Sequence, residues 1–332
     1  MEGPGGGRNQ GDGGRHRRRT SSALSPSTLD QALKALAGGG LVVMPTETVY
    51  GLAADASNAY AVARLFEAKG RPRFNPLIAH VADRAMARKV AMFDDRAEAL
   101  AEKFWPGPLT LVLPLRDETL SCDLARAGLS TIAVRAPSHP TAHELIGAFG
   151  RPVVAPSANR SGRPSPTTFE DAMEETGVSA QAWLDGGACE VGIESTVVAV
   201  LDGGVRWLRP GVVTRDEVAA VSGPLAEAGG DAGRSPGRLA LHYAPNAPVR
   251  IDAESPEAGE AYLAFGKTDA AGPLVWNLSA SGDLREAATN LFRMLREADR
   301  AQPEAIAVAP IPDQGLGEAL NDRLRRASGH VG

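Results

Sequence analysis

The sequence predicts an α/β protein in two parts: a twisted mixed sheet with flanking helices, then a small doubly wound α/β unit. Three observations carry this. Short apolar runs of strand length alternate with segments of helical period along most of the chain. The runs Ser195–Val200 and Val205–Leu208 read as a hairpin about Asp202-Gly203-Gly204, so the sheet is not all-parallel. Periodicity then lapses over 222–247, where Ala, Gly, Pro and Ser dominate, and a second β-α-β pattern follows. The expected division is a disordered basic tail over 1–22, a larger unit over 23–221, a linker over 222–247 and a small unit over 248–332.

The tail is Gly-rich, and its five arginines against Glu2 and Asp12 leave a charge of +3. It has no apolar core of a secretory signal, so it reads as a solvated segment, with a weak RNA-contacting arm as the second reading. Leu29, Leu33 and Leu36 then mark a short amphipathic helix closed by Gly38-Gly39-Gly40. Leu41–Met44 is a buried-strand run entering the polar turn Pro45-Thr46-Glu47-Thr48. Asn58 is the expected N-cap of a helix with Val62, Leu65 and Phe66 inward, and Gly70 its C′ residue. Lys69, Arg71 and Arg73 crowd the loop before the next strand run, Leu77–Val81.

The segment Asp83–Lys103 reads as helix broken near Phe93-Asp94-Asp95. Strands follow at Leu109–Leu113 and Thr131–Arg135, and Ser138 with Pro140 starts another helix. Val153–Ala155 leads into a second polar, cationic loop, Pro156–Arg163. In the small unit, Ala261–Phe265, Leu274–Leu278 and Ala305–Ala309 are strands, with an amphipathic helix over Leu284–Leu295.

Composition sets the boundaries of function. With 332 residues, 43% hydrophobic and 23% charged, the chain can bury a sizeable core. No apolar run approaches the ~20 residues of a membrane span. Cys122 and Cys189 form neither a disulfide framework nor a zinc signature, which points to a reducing, cytoplasmic setting. A net charge of −5 argues against wholesale wrapping of nucleic acid and leaves room for a local basic cleft.

Four strand ends are expected to face one way, carrying Thr46 and Thr48, His80, Arg135, and Ser157 with Asn159. Lys69, Arg71, Arg135, Arg163 and Arg209 supply positive charge around them, which is an anion site in outline. The chain has no GxxxxGK[ST] and no GxGxxG, so side chains rather than a glycine loop would hold phosphates. Ser157 lies in PSAN rather than GxSxG, which excludes a nucleophile elbow. His139 and His143 lack a third ligand, so no metal site is expected, and Glu47 has no carboxylate partner for acid–base work.

The motifs PTETVYGL, KGRPRFNPLI, FWPGPLT, TIAVRAP, APSANRSGRPSPT, ESTVV and LRPG run in order from about Leu24 to Gly211, and HYAP follows. In this series the chain resembles the YrdC-like family of L-threonylcarbamoyladenylate synthases, in its long two-domain form. The resemblance implies a YrdC-like fold for 23–221, which would be the catalytic domain, and a lid role for the linker. It implies a nucleotidyltransferase that joins L-threonine, bicarbonate and ATP and releases pyrophosphate. The product would pass to a threonylcarbamoyl transferase that acts on tRNA to make t6A.

By position, the resemblance assigns Thr48, His80, Arg135, Ala155 and Ser195 to threonine. It assigns Arg71, Asn75, Thr131, Ser157, Asn159, Ser165, Arg209 and Tyr243 to ATP, with Lys69 and Arg71 as the catalytic cations. Mg²⁺ would ride on the phosphates. Before HYAP, where relatives of this form carry one or two basic residues, only Arg238 remains. A second reading from another class is an RNA-binding or ribosome-associated factor that uses the same cationic concavity. The related carbamoyl-adenylate chemistry would need acylphosphatase and zinc-finger segments that this sequence lacks.

Overall fold

The computed structural model describes residue 1 and residues 25–229 and 242–329. The expected tail, apart from residue 1, and Arg238 therefore lie outside the described residues. Ten strands form the large sheet: β1 (Val42–Met44), β2 (Gly51–Asp55), β3 (Ile78–His80), β4 (Leu109–Pro114), β5 (Thr131–Arg135), β6 (Val153–Val154), β7 (Ala182–Trp183), β8 (Thr196–Leu201), β9 (Gly204–Arg209) and β10 (Leu225–Glu227). Their order is β10-β9-β8-β4-β5-β3-β6-β2-β1-β7, and the pairing is mixed. The β8–β9 pair is the antiparallel hairpin that the sequence predicts.

The helices of this unit are α1 (Leu29–Ala37), α2 (Ala59–Lys69), α3 (Arg84–Val90), α4 (Asp95–Phe104), α5 (Asp123–Arg126), α6 (Pro140–Phe149), α7 (Phe169–Thr176) and α8 (Arg215–Ser222). Asn58 caps α2 by accepting from the Tyr60 and Ala61 amides, and Gly70 closes it at φ 58°. Such a cap contributes about 1 kcal/mol, and only a residue at ease in the left-handed region ends the helix there without strain. The break between α3 and α4 falls at the Asp94 cap, as its acceptor chemistry dictates. The cap of α6 is His139 rather than Ser138, because its Nδ1 accepts from the Thr141 amide at 3.2 Å.

Two of the sequence expectations need correction here. Strand β2 was hidden because Gly51–Asp55 holds two alanines and a glycine and has no β-branched residue. It returns antiparallel on β1, so Pro45–Tyr50 is a hairpin loop and not a strand-to-helix turn. The strand ends also do not all face one way. β3 and β5 are parallel, but β6 is antiparallel to β3, so the segment after β6 leaves at the opposite end from His80 and Arg135. A short apolar run has the same composition in either direction, so its polarity could not be read.

The pleat now decides where a site can form. On β3 and β5, Ala79 and Val134 join the cluster with α3, α4 and α8. Alternation sends Ile78, Ala133, His80 and Arg135 to the other face. At that face of the β3–β5–β4–β8–β9 half, buried Ala133, Val112 and Val197 form a small apolar floor.

The second sheet is all parallel, in the order β11 (Val249–Arg250), β14 (Ala305–Val308), β12 (Glu260–Ala264), β13 (Val275–Asn277). The helices α9 (Leu284–Arg300) and α10 (Leu316–Ala327) share one apolar cluster with Ala261, Leu263, Ile306 and Val308 on a single face of this sheet. Tyr262, Ala264, Ala307 and Ala309 form the cluster on the other face, where Phe265, Ala270 and Val275 pack. The larger unit extends past 221, since α8 runs to Ser222 and β10 pairs with β9.

The two units meet across α9 and α10. A Cβ on Gly192 would stand 2.4 Å from the Ala288 carbonyl oxygen and from the Thr289 Cα, so only glycine allows this approach. Ion pairs cross the seam: Arg296 to Glu175 at 3.1 Å, Arg163 to Asp299 at 3.2 Å, and Arg300 to Glu174 at 2.7 Å and to Asp171. The cluster that holds α9 and α10 also takes in Val49, Ile193 and Tyr243.

Candidate functional site

A cavity with an empty volume of about 580 Å³ lies over the open face of the large sheet. Among the residues assigned to threonine, Thr48, His80, Arg135, Ala155 and Ser195 all line it. Arg135 is pinned by its neighbours. Its Nη1 donates to Thr48 Oγ1 at 2.9 Å and its Nε donates to the Gly107 carbonyl at 3.2 Å. Its Nη2 stands 2.6 Å from Glu47 Oε1, an ion contact between groups only 4% and 5% exposed. Neither Glu47 oxygen makes a hydrogen bond, nor does Arg135 Nη2. The pair is close but not aligned.

Thr48 is oriented in turn by Thr46, whose hydroxyl lies 2.9 Å from that of Thr48 and donates to the Val49 carbonyl at 2.6 Å. The His80 imidazole is held at about 3, chiefly by burial and secondarily by the Arg135 charge, so it is neutral near pH 7. Ser195 shares a 2.8 Å hydrogen bond with Thr110.

Of the residues assigned to ATP, Arg71, Ser157, Arg209 and Tyr243 line the cavity. Arg71 donates from Nη2 to the Pro76 carbonyl at 3.2 Å, while its buried Nε has no partner. Burial lowers its pKa to about 10, which leaves it a cation at neutral pH. Arg209 wraps the Ser195 carbonyl with Nε at 3.2 Å and Nη2 at 2.8 Å. Tyr243 has φ 65°, a left-handed conformation that costs a bulky residue on the order of 1–3 kcal/mol. It is kept there by the Ala244 amide bonded to Gly162 and by Phe292 of α9, whose ring centroid is 5.2 Å away.

Asn75, Thr131, Asn159 and Ser165 do not line the cavity. All four are buried. Asn159 Nδ2 closes its own loop on the Arg160 and Arg163 carbonyls at 2.8 and 2.9 Å, while Ser165 Oγ donates to Glu194 at 2.5 Å. Lys69 stands apart too. It is the last residue of α2, 2% exposed, and its ammonium donates to the Ser157 and Asn159 carbonyls. Burial, then Arg71, drives its pKa well down. Its geometry is that of a brace under the Ser157 loop.

Sequence reading missed several contributors. Glu194 and His242 line the cavity, and Glu47 backs Arg135. Burial alone would raise the Glu194 carboxyl, but Arg323, Arg209 and the Ser165 bond outweigh it and hold the group below its usual range. His242 is pushed to about 3, first by burial and then by Arg71, Lys69 and Arg209 against the pull of Glu194, and its Nδ1 has no partner. HYAP carried the signal for His242, as the neighbour of Tyr243. ESTVV carried the signal for Glu194, as the residue before Ser195.

The arrangement is a buried pocket in which guanidinium groups flank hydroxyls and neutral imidazoles. It suits a carboxylate and a polyanion held side by side out of water, and it offers no nucleophile–base pair. Among the described residues, no group of three or more His, Cys, Asp or Glu could hold a metal.

Comparison with known proteins also divides the chain in two, but at 211–213, before α8 and β10. Residues 34–211 match the Sua5/YciO/YrdC family, described as "Telomere recombination". Residues 213–329 match "Threonylcarbamoyl-AMP synthase, C-terminal domain". A threonylcarbamoyl-AMP synthase of Bacillus subtilis is 38% identical, over 90% of this chain and 92% of its own. One from Pyrococcus abyssi is 39% identical, over 88% of this chain and 91% of its own. The crystal structure of P. abyssi Sua5 complexed with L-threonine superposes with a TM-score of 0.83 at 38% identity, covering 91% of this chain and 94% of that one.

Proposed function

The chain belongs to the Sua5/YrdC family of threonylcarbamoyl-AMP synthases, and from that premise we propose that it makes L-threonylcarbamoyladenylate and pyrophosphate from L-threonine, bicarbonate and ATP. The observation that carries the reading is a single pocket lined by Arg135, Thr48 and His80 together with Arg71, Arg209 and Tyr243. L-Threonine is the ligand of the solved P. abyssi protein, and the same class of ligand suits the Arg135 side here.

In this scheme the amine of threonine attacks the carbon of bicarbonate, a C–N bond forms, and water leaves to give a carbamate. One carbamate oxygen attacks the α-phosphorus of ATP, the bond to the bridging oxygen breaks, and pyrophosphate leaves with the electron pair. The substrate supplies its own nucleophile. Arg135 and Thr48 would hold the amino-acid carboxylate, and Ser195, His80 and the Ala155 backbone would bound the remainder. Arg71, with Arg209 beside it, would take up charge moving onto pyrophosphate, and Ser157 would bond the phosphates. Aligning the two reactants is worth roughly 7–11 kcal/mol. Lys69 and Asn159 would act by fixing the Ser157 loop, Ser165 through Glu194, and Asn75 and Thr131 from the edge of the nucleotide side.

Mg²⁺ does not fit a protein cage here: Glu47 and Glu194 both face arginines. The ion would arrive on the triphosphate and supply charge neutralisation there.

The RNA-binding alternative is not favoured, because Arg135 and Arg209 are 3% and 4% exposed and lie too deep for a polynucleotide backbone. We read the catalytic unit as extending to Glu227, the connection to 247 as a lid, of which 230–241 lie outside the described residues, and the remainder as the second unit. No helix among the described residues is long and apolar enough to cross a membrane, and both cysteines are free, which agrees with a cytoplasmic enzyme that serves a tRNA-modifying transferase. Pyrophosphate release tests the reading. It should need ATP, threonine and bicarbonate together, and equal release with serine or with no amino acid would refute the substrate assignment.

A further inference from the structure

Arg323 belongs to α10, in the C-terminal unit, and does not line the cavity, yet it is wholly buried. Its Nε donates to Glu194 Oε2 at 3.1 Å, and the same carboxylate accepts from Ser165 at 2.5 Å through its other oxygen. Its Nη1 donates to the Pro210 carbonyl at 2.8 Å, next to Arg209, and to Asp322 at 2.9 Å. Its Cζ lies 5.6 Å from the Tyr243 ring centroid. One guanidinium thus touches the wall residue Glu194, the turn that follows Arg209, and the ring of Tyr243.

We propose that Arg323 is a positioning residue for the nucleotide half of the pocket, and that this contact is how the C-terminal unit takes part in the reaction. The proposal rests on the synthase reading above. Glu194 without Arg323 would keep its Ser165 hydrogen bond but lose its ion pair, and as a buried carboxylate with Arg209 and Lys69 as nearby cations it would pull Arg209 out of position. Tyr243 would lose the cation beside its ring while still sitting at positive φ. The fork is needed because two directions are served at once. A lysine carries the charge on one compact ammonium and lacks the rigid planar fork that reaches Glu194 and Pro210 in two directions.

Three variants of the full chain separate this role from simple docking of the two units. Arg323→Met and Arg323→Lys remove the fork. Arg300→Ala weakens the seam where Arg300 meets Asp171 and Glu174 and touches no cavity residue. Pyrophosphate release is measured with each substrate varied, and thermal melts confirm folding. Arg323→Met should raise KM for ATP by roughly 10- to 100-fold, the worth of a charge-assisted hydrogen bond. KM for threonine should stay within about twofold of the wild type, Arg323→Lys should fall between the two, and Arg300→Ala should match the wild type.

Equal loss in all three variants, or a threonine KM that rises with that for ATP, would mean Arg323 only docks the units. If Arg323→Met does not fold, a folded Arg323→Lys with wild-type KM for ATP overturns the proposal. A wild type that releases no pyrophosphate under these conditions fails the synthase reading instead, so the two failures are told apart.

Discussion

Acidification well short of carboxylate titration should destabilise this protein through two buried imidazoles. His80 and His242 are both held at about 3 in the folded chain against 6.5 as the ordinary value, chiefly by burial. Around His80 the charged neighbour is Arg135; around His242 they are Glu194, Arg71, Lys69 and Arg209. A folded value below the unfolded one means that the unfolded chain binds the extra protons. The stabilisation is complete above the unfolded value and is lost as pH falls towards the folded one.

From about pH 7.5 to about pH 5, each imidazole should therefore cost about 2 kcal/mol, and the pair about 4 kcal/mol, at 1.4 kcal/mol per unit per proton. That is a large share of the ~5–15 kcal/mol typical of a folded domain. The depressed carboxylates of Glu175, Glu194 and Asp322 start from ordinary values of 4.5, 4.5 and 3.8 and so lie below the window. Lys69, whose pKa burial also drives well down, adds its own proton to the slope, and the two histidine substitutions given next separate the imidazoles from it. Guanidinium unfolding followed by tryptophan fluorescence reads the effect, each transition taken by itself if the two units separate. His80→Gln and His242→Asn should each remove one proton from the slope. A wild-type stability unchanged across the window, or a slope that ignores both substitutions, would refute the argument from burial.

Other consequences follow from the same geometry. Arg135→Met should leave Glu47 as a buried charge with no ion contact among the described residues, costing about 3–5 kcal/mol, and abolish threonine binding. Adding Glu47→Gln should restore stability in denaturant melts while calorimetry still finds no threonine binding; recovery of both would remove Arg135 from the site. Arg71→Ala should fold and lose about 2–4 kcal/mol of transition-state stabilisation in pyrophosphate release, by analogy with loss of one oxyanion donor. Near wild-type turnover would discard the phosphate role. Limited proteolysis should show cleavage between Glu227 and Tyr243 suppressed when ATP and threonine are both present, and cleavage indifferent to substrates would rule out a lid.

Most of the elements that build the pocket were legible because local chemistry defines them. The Asn58 cap, the Gly70 terminus, the α3–α4 break and the β8–β9 hairpin each rest on residues within a few positions of one another. What failed was non-local. Gly51–Asp55 is a strand because β1 and β6 pair with it on either side, not because its alanines favour extension. The same holds for β7, β10 and β11, none longer than three residues and each defined by a neighbour. α10 went unread because its apolar positions sit among arginines and acids that look like a solvated surface until Arg323 is found at its centre.

The candidate site divides along the same line. Hydroxyls and cations in polar loops after apolar runs were visible, and Thr48, His80, Arg135 and Arg71 do converge. Their partners were not visible, because each lies far along the chain: Thr48 is 87 residues from Arg135, Asn159 is 90 from Lys69, and Glu194 is 129 from Arg323. The partner also changes what a residue can do. Lys69 reads in sequence as a mobile cation in a loop, but two backbone carbonyls hold its ammonium at the end of a helix. Arg135 reads as a bare cation at a strand end, but Glu47 already faces it. A carboxylate that binds Arg135 must therefore share a guanidinium whose charge is partly answered, which favours a ligand that brings its own cation near Glu47. A threonine zwitterion meets that condition and a simple carboxylic acid does not.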